Sequence, residues 1–407
     1  MASYLSHTCS NGLRMIHLPQ KSPVAYCGFV INTGSRDEAP NEYGYAHFVE
    51  HLLFKGTSKR KAYHILNRME NVGGELNAYT TKEETFIYSI FIKKNFARAV
   101  ELISDLILHS QFPANEIEKE REVVLDEIQS YKDNPAELIF DEFENVLFSN
   151  HPLGHDILGN NHTLKKFGTE TGLFFTRHHY TADKIVFFSM GDIQFDDILR
   201  LAGKYFMEIP AGHGNTSRNK PQPVFPPLLV KKKKTHQTHV VFGGTAYDMY
   251  DEKRYGLFLL NNILGGPGMN SRLNVSLREK HGLVYQVDSH VTTYTDTGLC
   301  SIYFGTDPKN KEMAMQLVKN ELRRLCENKM SDTQLSMAKK QAFGQMVLSQ
   351  ENKEALFLGL GKTFLHYHRY DSLQEVFQKI EQITPQQIRE TANEIFNPDQ
   401  LFCLTFE

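Results

Sequence analysis

Little in this chain of 407 residues points toward a membrane, a nucleic acid or a disulfide framework. Cysteine is scarce: Cys9, Cys27, Cys300, Cys326 and Cys403 are odd in number and widely spaced, and none forms a Cys-x-x-Cys pair. This excludes a zinc ribbon or dithiol motif of the usual spacing and fits free thiols in a reducing compartment. No apolar run approaches the roughly 20 residues that span a bilayer. The opening Met1-Ala-Ser-Tyr-Leu-Ser-His7 has no basic region, apolar region or cleavage site of a leader, so a cytoplasmic location is expected. A net charge of −3 gives no general reason for attraction to nucleic acid or to anionic lipid. The one basic run, Lys231 to Lys234, precedes an alternating pattern and reads as a solvated strand entrance.

What is present is enough for two cores. Hydrophobic residues make up 41% and charged residues 23%, the balance of a soluble globular chain, and the length suits two domains of about 200 residues. A Gly/Pro/polar stretch at 211–227 reads as a linker between domains at 1–210 and 228–407. Each half has the same order, a β-rich run followed by a buried helix that stops at glycine. In the first half, Val24 to Thr33 precedes a helix over Tyr45 to Phe54. In the second, Thr238 to Thr245 precedes Arg254 to Leu264, which Gly265-Gly266 ends. Setting Asn262-Ile-Leu264 on His51-Leu-Leu53 places Phe258 opposite His47 and Asn261 opposite Glu50. The chain therefore reads as two copies of one α+β unit.

The first of these helices is apolar around its whole circumference, so it should be buried. At about 100° per residue, His51 lies about 40° from His47, and Glu50 about 60° to the other side. Two imidazoles and a carboxylate thus share a helix that offers them no water, and a buried carboxylate without a partner costs several kcal/mol, on the order of a whole ion's desolvation. A divalent metal would compensate. The alternative is two core histidines bonded to backbone, with Glu50 neutralised by a lysine or arginine. The second copy lacks this set, which argues against a purely structural role.

Two histidines leave a catalytic zinc short of the usual three protein ligands. The helix over Asn115 to Lys132 carries Glu120 and Glu127 inside the apolar stripe made with Ile117, Val124, Ile128 and Tyr131. Glutamates are seldom core-facing unless paired or coordinated. Glu127 is therefore a candidate third ligand, with a salt bridge to a core-facing arginine or lysine as the other reading. Three further signals carry less. Gly265-Gly-Pro-Gly268 lacks the Gly-Lys-Ser/Thr of a phosphate loop, and His151, His155, His178 and His179 lie in loop-like sequence without an acid at ligand spacing.

His47-Phe-Val-Glu50-His51 is the inverted zinc motif His-x-x-Glu-His. With Gly74 to Thr80, Glu120 to Glu127, Asn262 to Gly266, Ser271 to Leu273 and Arg278 to Tyr285 in order along the chain, the sequence resembles the pitrilysin, insulysin and mitochondrial processing peptidase family. It is most similar to the two-domain bacterial members of the processing-peptidase type. The resemblance implies an α+β fold of two homologous domains, each a largely antiparallel sheet with helices packed on one face. It implies one zinc per chain, held by His47, His51 and Glu127, and Glu50 as general base on the zinc-bound water. Glu120 would support the site from behind the ligands. Asn77, Ala78 and Tyr79 would form an edge strand along which substrate backbone lies, and Arg278 with Tyr285 would contact the substrate and the developing oxyanion. The implied protein is a zinc endopeptidase acting on peptides or unfolded segments inside a chamber closed by a homodimer, with no nucleic-acid or membrane partner. A non-catalytic peptide-binding or scaffolding subunit of the same fold is the alternative.

Overall fold

The computed structural model describes residues 4–212, 218–226, 228–233 and 235–407. Part of the expected linker (213–217 and 227) and Lys234 of the basic run lie outside the described residues. In chain order the first half runs β1 (Leu5–Thr8), β2 (Arg14–Pro19), β3 (Val24–Ile31), α1 (Tyr45–Leu53), α2 (Ala62–Glu70), β4 (Glu75–Thr80), β5 (Thr85–Ile92), α3 (Phe96–His109), α4 (Ala114–Lys132), α5 (Pro135–Leu147), α6 (Asn161–Leu164), α7 (Thr169–His179), β6 (Ile185–Gly191) and α8 (Phe195–Tyr205). The second runs β7 (Leu229–Lys231), β8 (Thr238–Ala246), α9 (Arg254–Gly265), β9 (Val284–Thr293), β10 (Gly298–Thr306), α10 (Lys311–Glu327), α11 (Asp332–Ser349), α12 (Lys353–Tyr367), α13 (Leu373–Glu381), α14 (Pro385–Ile395) and β11 (Phe402–Phe406).

Two sheets result, and they share one wiring. The first has the order β1-β2-β6-β3-β5-β4 and the second β7-β11-β8-β10-β9. In each, one strand pair is parallel (β2 with β6, β7 with β11) and the neighbours that follow are antiparallel. Matching them strand for strand sets β2, β6, β3, β5 and β4 against β7, β11, β8, β10 and β9. Among the described residues β1 alone has no counterpart. This is the α+β repeat that the sequence leads one to expect.

One division between the compact units, Ser217 to Arg218, falls inside the expected linker, and an exchanged segment on either side adds others. One comprises Met1–Gln129, His155–Ser217 and Ser349–Ser372; the other comprises Ser130–Gly154, Arg218–Leu348 and Leu373–Glu407. Each half of the chain thus gives one helix to the unit built mainly by the other half. The reason is that both faces of each sheet are apolar. One face of the first sheet packs on α1, α3 and α8 through Phe29, Phe48, Ile103, Phe187 and Phe206. Its other face, with Ile16, Val30, Phe86 and Phe188, is covered by Phe357, Leu360 and Phe364 of α12. Gly361 permits the close approach, because a Cβ there would stand 2.8 Å from the Phe188 ring. In the second unit α5 does the same, with Leu138, Ile139 and Phe143 on the sheet and the Phe143 and Phe402 rings stacked at 4.1 Å. Helices on one face therefore describe the thicker layer, and a single exchanged helix closes the other.

Candidate active site

The site is built from α1 upward. Gly44 begins the helix at φ 95°, a left-handed conformation that favours glycine. Beside it the buried Glu38 carboxylate accepts the Gly44 N–H at 2.8 Å and the Ala46 N–H at 2.6 Å. An acceptor at a helix N-terminus satisfies donors that the helix itself leaves orphaned. His155 supports Glu38 at 3.1 Å and stacks on Tyr43 with ring centres 3.7 Å apart. The one histidine of the 151/155 pair that is buried is thus structural. Every residue of α1 is buried except His51, as the all-round apolar pattern requires.

His47, His51 and Glu127 converge. Their nearest ligand atoms all lie within 4.8 Å of one another. His47 Nε2 stands 3.8 Å from Glu127 Oε2, and His51 Nε2 stands 3.5 Å from the same oxygen. Tetrahedral zinc with bonds of about 2.0–2.1 Å holds its ligand atoms roughly 3.3 Å apart, so the donor set and its spacing fit the ion. Burial pushes the His47 imidazole down to about 3, with His51 adding to the effect, which favours the neutral form that ligates. The Glu127 side chain is 43% exposed, so its place in the apolar stripe does not lead it into the core as the helical pattern suggests. It closes one side of the site and leaves an approach from solvent.

Glu120, one heptad earlier, is buried. Its Oε2 lies 3.3 Å from His51 Nδ1 and its Oε1 2.7 Å from Lys55 Nζ. A carboxylate on the far nitrogen fixes the ring orientation and leaves Nε2 free to face Glu127. Glu50, between the histidines, receives a 2.6 Å hydrogen bond from the Thr80 hydroxyl. Burial pushes its carboxyl up to about 7; the Thr80 bond opposes the rise and the Glu127 charge adds to it. A carboxyl poised there suits proton transfer at neutral pH.

Asn77, Ala78 and Tyr79 lie on β4, at the edge of the first sheet, paired with Tyr88, Ile87 and Phe86 of β5. The Tyr79 ring stacks on Phe86 at 4.6 Å. Arg278 and Tyr285 belong to the second unit. Arg278 sits in a wide helical turn over Asn274–Glu279, and its guanidinium lies 5.7 Å from the Tyr285 ring centre. Tyr285 is 83% exposed, which is unusual for an aromatic ring at the start of a strand and leaves its hydroxyl available.

Two side chains next to Glu50 escaped sequence reasoning. Thr80 is the last residue of the Gly74–Thr80 block, and nothing in a strand-ending threonine signals a carboxylate partner. Tyr180 follows α7 with a buried hydroxyl that has no hydrogen-bond partner among the described residues, and the Glu50 charge adds to the burial that raises its pKa. The Gly265-Gly266 stretch ends α9, as read from the sequence.

Similarity to other proteins follows the same lines. Residues 15–161 match the family described as insulinase (peptidase family M16), and residues 174–342 match the peptidase M16 inactive domain. An uncharacterized zinc protease of Bacillus subtilis is 32% identical over 98% of this chain and 97% of its own length. A second uncharacterized zinc protease, from Rickettsia bellii, is 34% identical over 95% of this chain and 93% of its own. Among solved structures, a peptidase M16 inactive domain of Pseudomonas fluorescens superposes with a TM-score of 0.92 at 20% identity, covering 99% of this chain and 97% of that one, which is a likeness of fold. The two matched regions and the near full-length relatives make the chain a member of peptidase family M16, the pitrilysin-like group.

Proposed function

We propose that the protein is a zinc-dependent endopeptidase that hydrolyses peptides or unfolded polypeptide segments. The observation that carries this reading is the convergence of His47, His51 and Glu127 within 4.8 Å, with Glu50 buried between the histidines and held by Thr80. His47, His51 and Glu127 would hold one zinc ion per chain, and Glu120 would orient His51. Zinc, when bound, supplies Lewis-acid chemistry that polarises a carbonyl and acidifies water. Glu50 takes the proton from the attacking water on its free oxygen and delivers it to the leaving amine. The outer edge of β4 at Asn77, Ala78 and Tyr79 aligns substrate backbone by strand addition. Arg278 and Tyr285 enter the reading through the resemblance of their sequence block, as donors to substrate backbone and to the developing oxyanion.

The description of the second matched family as an inactive domain accords with this division of labour, because the sequence register sets Phe258, Asn261 and Asn262 opposite His47, Glu50 and His51. The proposal extends to assembly: a chamber closed by two copies, in which size and unfoldedness select the substrate. Among the described residues no helix is long and apolar enough to cross a membrane.

The test is zinc content together with hydrolysis of a quenched peptide library, for wild type and Glu50→Gln. The expected result is one zinc per chain in both proteins and a loss of turnover between about 10²- and 10⁴-fold in the variant. Zinc bound by a wild type that cleaves nothing would favour the peptide-binding or scaffolding subunit instead. Size-exclusion chromatography of the wild type decides between a monomer and the paired assembly.

A further inference from the structure

The turn between β4 and β5, Thr81-Lys82-Glu83-Glu84, buries three consecutive charged side chains. Buried charges of this kind are costly unless each is paired, and removing one partner strands the other. Glu84 is the most enclosed of the three, at 1% exposure. Its Oε1 accepts from His366 Nε2 at 2.7 Å, Lys362 Nζ lies 3.1 Å away, and its Oε2 accepts the Thr81 hydroxyl at 2.7 Å. His366 and Lys362 are four residues apart on α12, hence on one helical face. The Thr81 hydroxyl also accepts the Glu84 N–H at 2.9 Å, and the Thr81 N–H donates to the Glu84 carbonyl at 2.8 Å. Side chain and backbone of Glu84 thus both fix Thr81. The preceding residue is Thr80, whose hydroxyl holds Glu50.

We propose that Glu84, clamped by His366 and Lys362 of α12, is a positioning residue that fixes the β4–β5 turn so that Thr80 keeps Glu50 in its working orientation. The inference rests on the peptidase reading, and it assigns a task to a helix that arrives from the far half of the chain. Apolar packing of Phe357, Leu360 and Phe364 already seats α12 on the sheet. An added ionic clamp at its C-terminal end is not required for that seating, and it is aimed at the one turn next to the Glu50 bond. The second unit ties the equivalent place differently. Its β9–β10 turn closes with the Tyr294 N–H donating to the Thr297 carbonyl at 2.8 Å, and the Tyr294 hydroxyl donates to Glu144 of α5. An exchanged helix meets a hairpin turn in both units. In the first the tie is built on a buried carboxylate with two basic partners, and a proposed base lies next to it.

The test is a double-mutant cycle of Glu84→Gln and Thr80→Val, with Thr80→Ser as the conservative control. In wild-type background, Glu84→Gln should lower kcat about tenfold with KM within about twofold and zinc content unchanged, the pattern of an interaction used in the transition state. Thr80→Val should lower kcat at least as much, and Thr80→Ser should restore most of it. The double variant should be no worse than Thr80→Val alone, because coupled residues are non-additive. Losses that multiply, or an unchanged kcat in Glu84→Gln, overturn the proposal. Lys362→Met, at a half-exposed position, repeats the cycle if Glu84→Gln does not fold. Amide hydrogen exchange provides a readout independent of turnover: protection at residues 79–84 should fall in Glu84→Gln while that at 294–297 holds. Unchanged protection at 79–84 overturns the clamp whether or not the wild type cleaves peptide. A wild type that binds zinc without cleaving, with exchange altered as expected, leaves the clamp standing and overturns the peptidase reading.

Discussion

The two units of this chain answer the same packing problem with different chemistry at one helix crossing. In the first, His51 on α1 faces Glu127 on α4, with 3.5 Å between Nε2 and Oε2. In the second, Asn262 on α9, which the sequence register sets opposite His51, donates from Nδ2 to Gln345 Oε1 on α11 at 2.6 Å. Nearby, Asn261 exchanges hydrogen bonds with Ser289, donating to its carbonyl at 3.0 Å and accepting from its hydroxyl. Amides there satisfy one another directly. Two imidazoles and a carboxylate cannot do so as fully, and they share an atom-sized space. The same sheet wiring can therefore carry either a self-satisfied crossing or one that gains from a cation. The difference lies in a few side chains and not in the fold.

The strongest way to break this comparison is to copy the second unit into the first. His51→Asn should reduce zinc content to background and lower peptide hydrolysis on the order of a thousandfold or more, since two protein ligands do not make a working site. The reciprocal Asn262→His should leave metal content at one per chain, because Phe258 and Gln345 offer no matching donors. A second bound zinc in that variant would show that the crossing geometry, more than the ligand set, decides binding. A smaller effect is expected one layer out. Glu120→Gln keeps the shape but weakens the hold on His51 Nδ1, and zinc affinity measured by chelator competition should fall about 10–100-fold.

Much of this contrast is legible in the sequence, and the physical reasons for what is not are specific. The all-round apolar character of Tyr45–Leu53 marks a buried helix, so its two histidines and glutamate stand out without any structure. Glu120 and Glu127 stand out because charge interrupts an apolar stripe, although the pattern overstates how deeply Glu127 is buried. The exchange of α5 and α12 between units is not legible. An amphipathic stripe tells that a helix covers something apolar, and both faces of both sheets qualify. Thr80 and Glu84 are silent for another reason: a threonine ending a strand and an acid in a turn are ordinary on a surface, and only burial at 1% makes Glu84 exceptional.

The two hairpin turns sharpen the comparison through pH. His366 and Lys362 hold the Glu84 carboxyl down to about 2 against the burial that opposes ionisation. Its folded value is thus below that of the unfolded chain, about 4.3, so the folded state binds fewer protons. The stability it contributes is present in full above about pH 5 and is lost as pH falls from there through about 2. Urea unfolding of wild type and Glu84→Gln across that window should show the wild type losing stability more steeply with acid, and the two curves drawing together at the acid end. Parallel curves would mean that the carboxylate's partners act without ionisation.

The smallest effect should come from the crossing that carries no chemistry. Gln345→Ala removes the acceptor from Asn262 Nδ2 in a half-buried place that water can partly reach. A hydrogen bond in such a setting is worth about 1 kcal/mol, so the urea midpoint should shift slightly while zinc content and turnover stay at wild-type levels. The magnitude matters less than the separation of readouts. If the amide crossing is only a clasp, its loss is seen in stability alone; if turnover falls with it, the second unit does more at this crossing than hold two helices together.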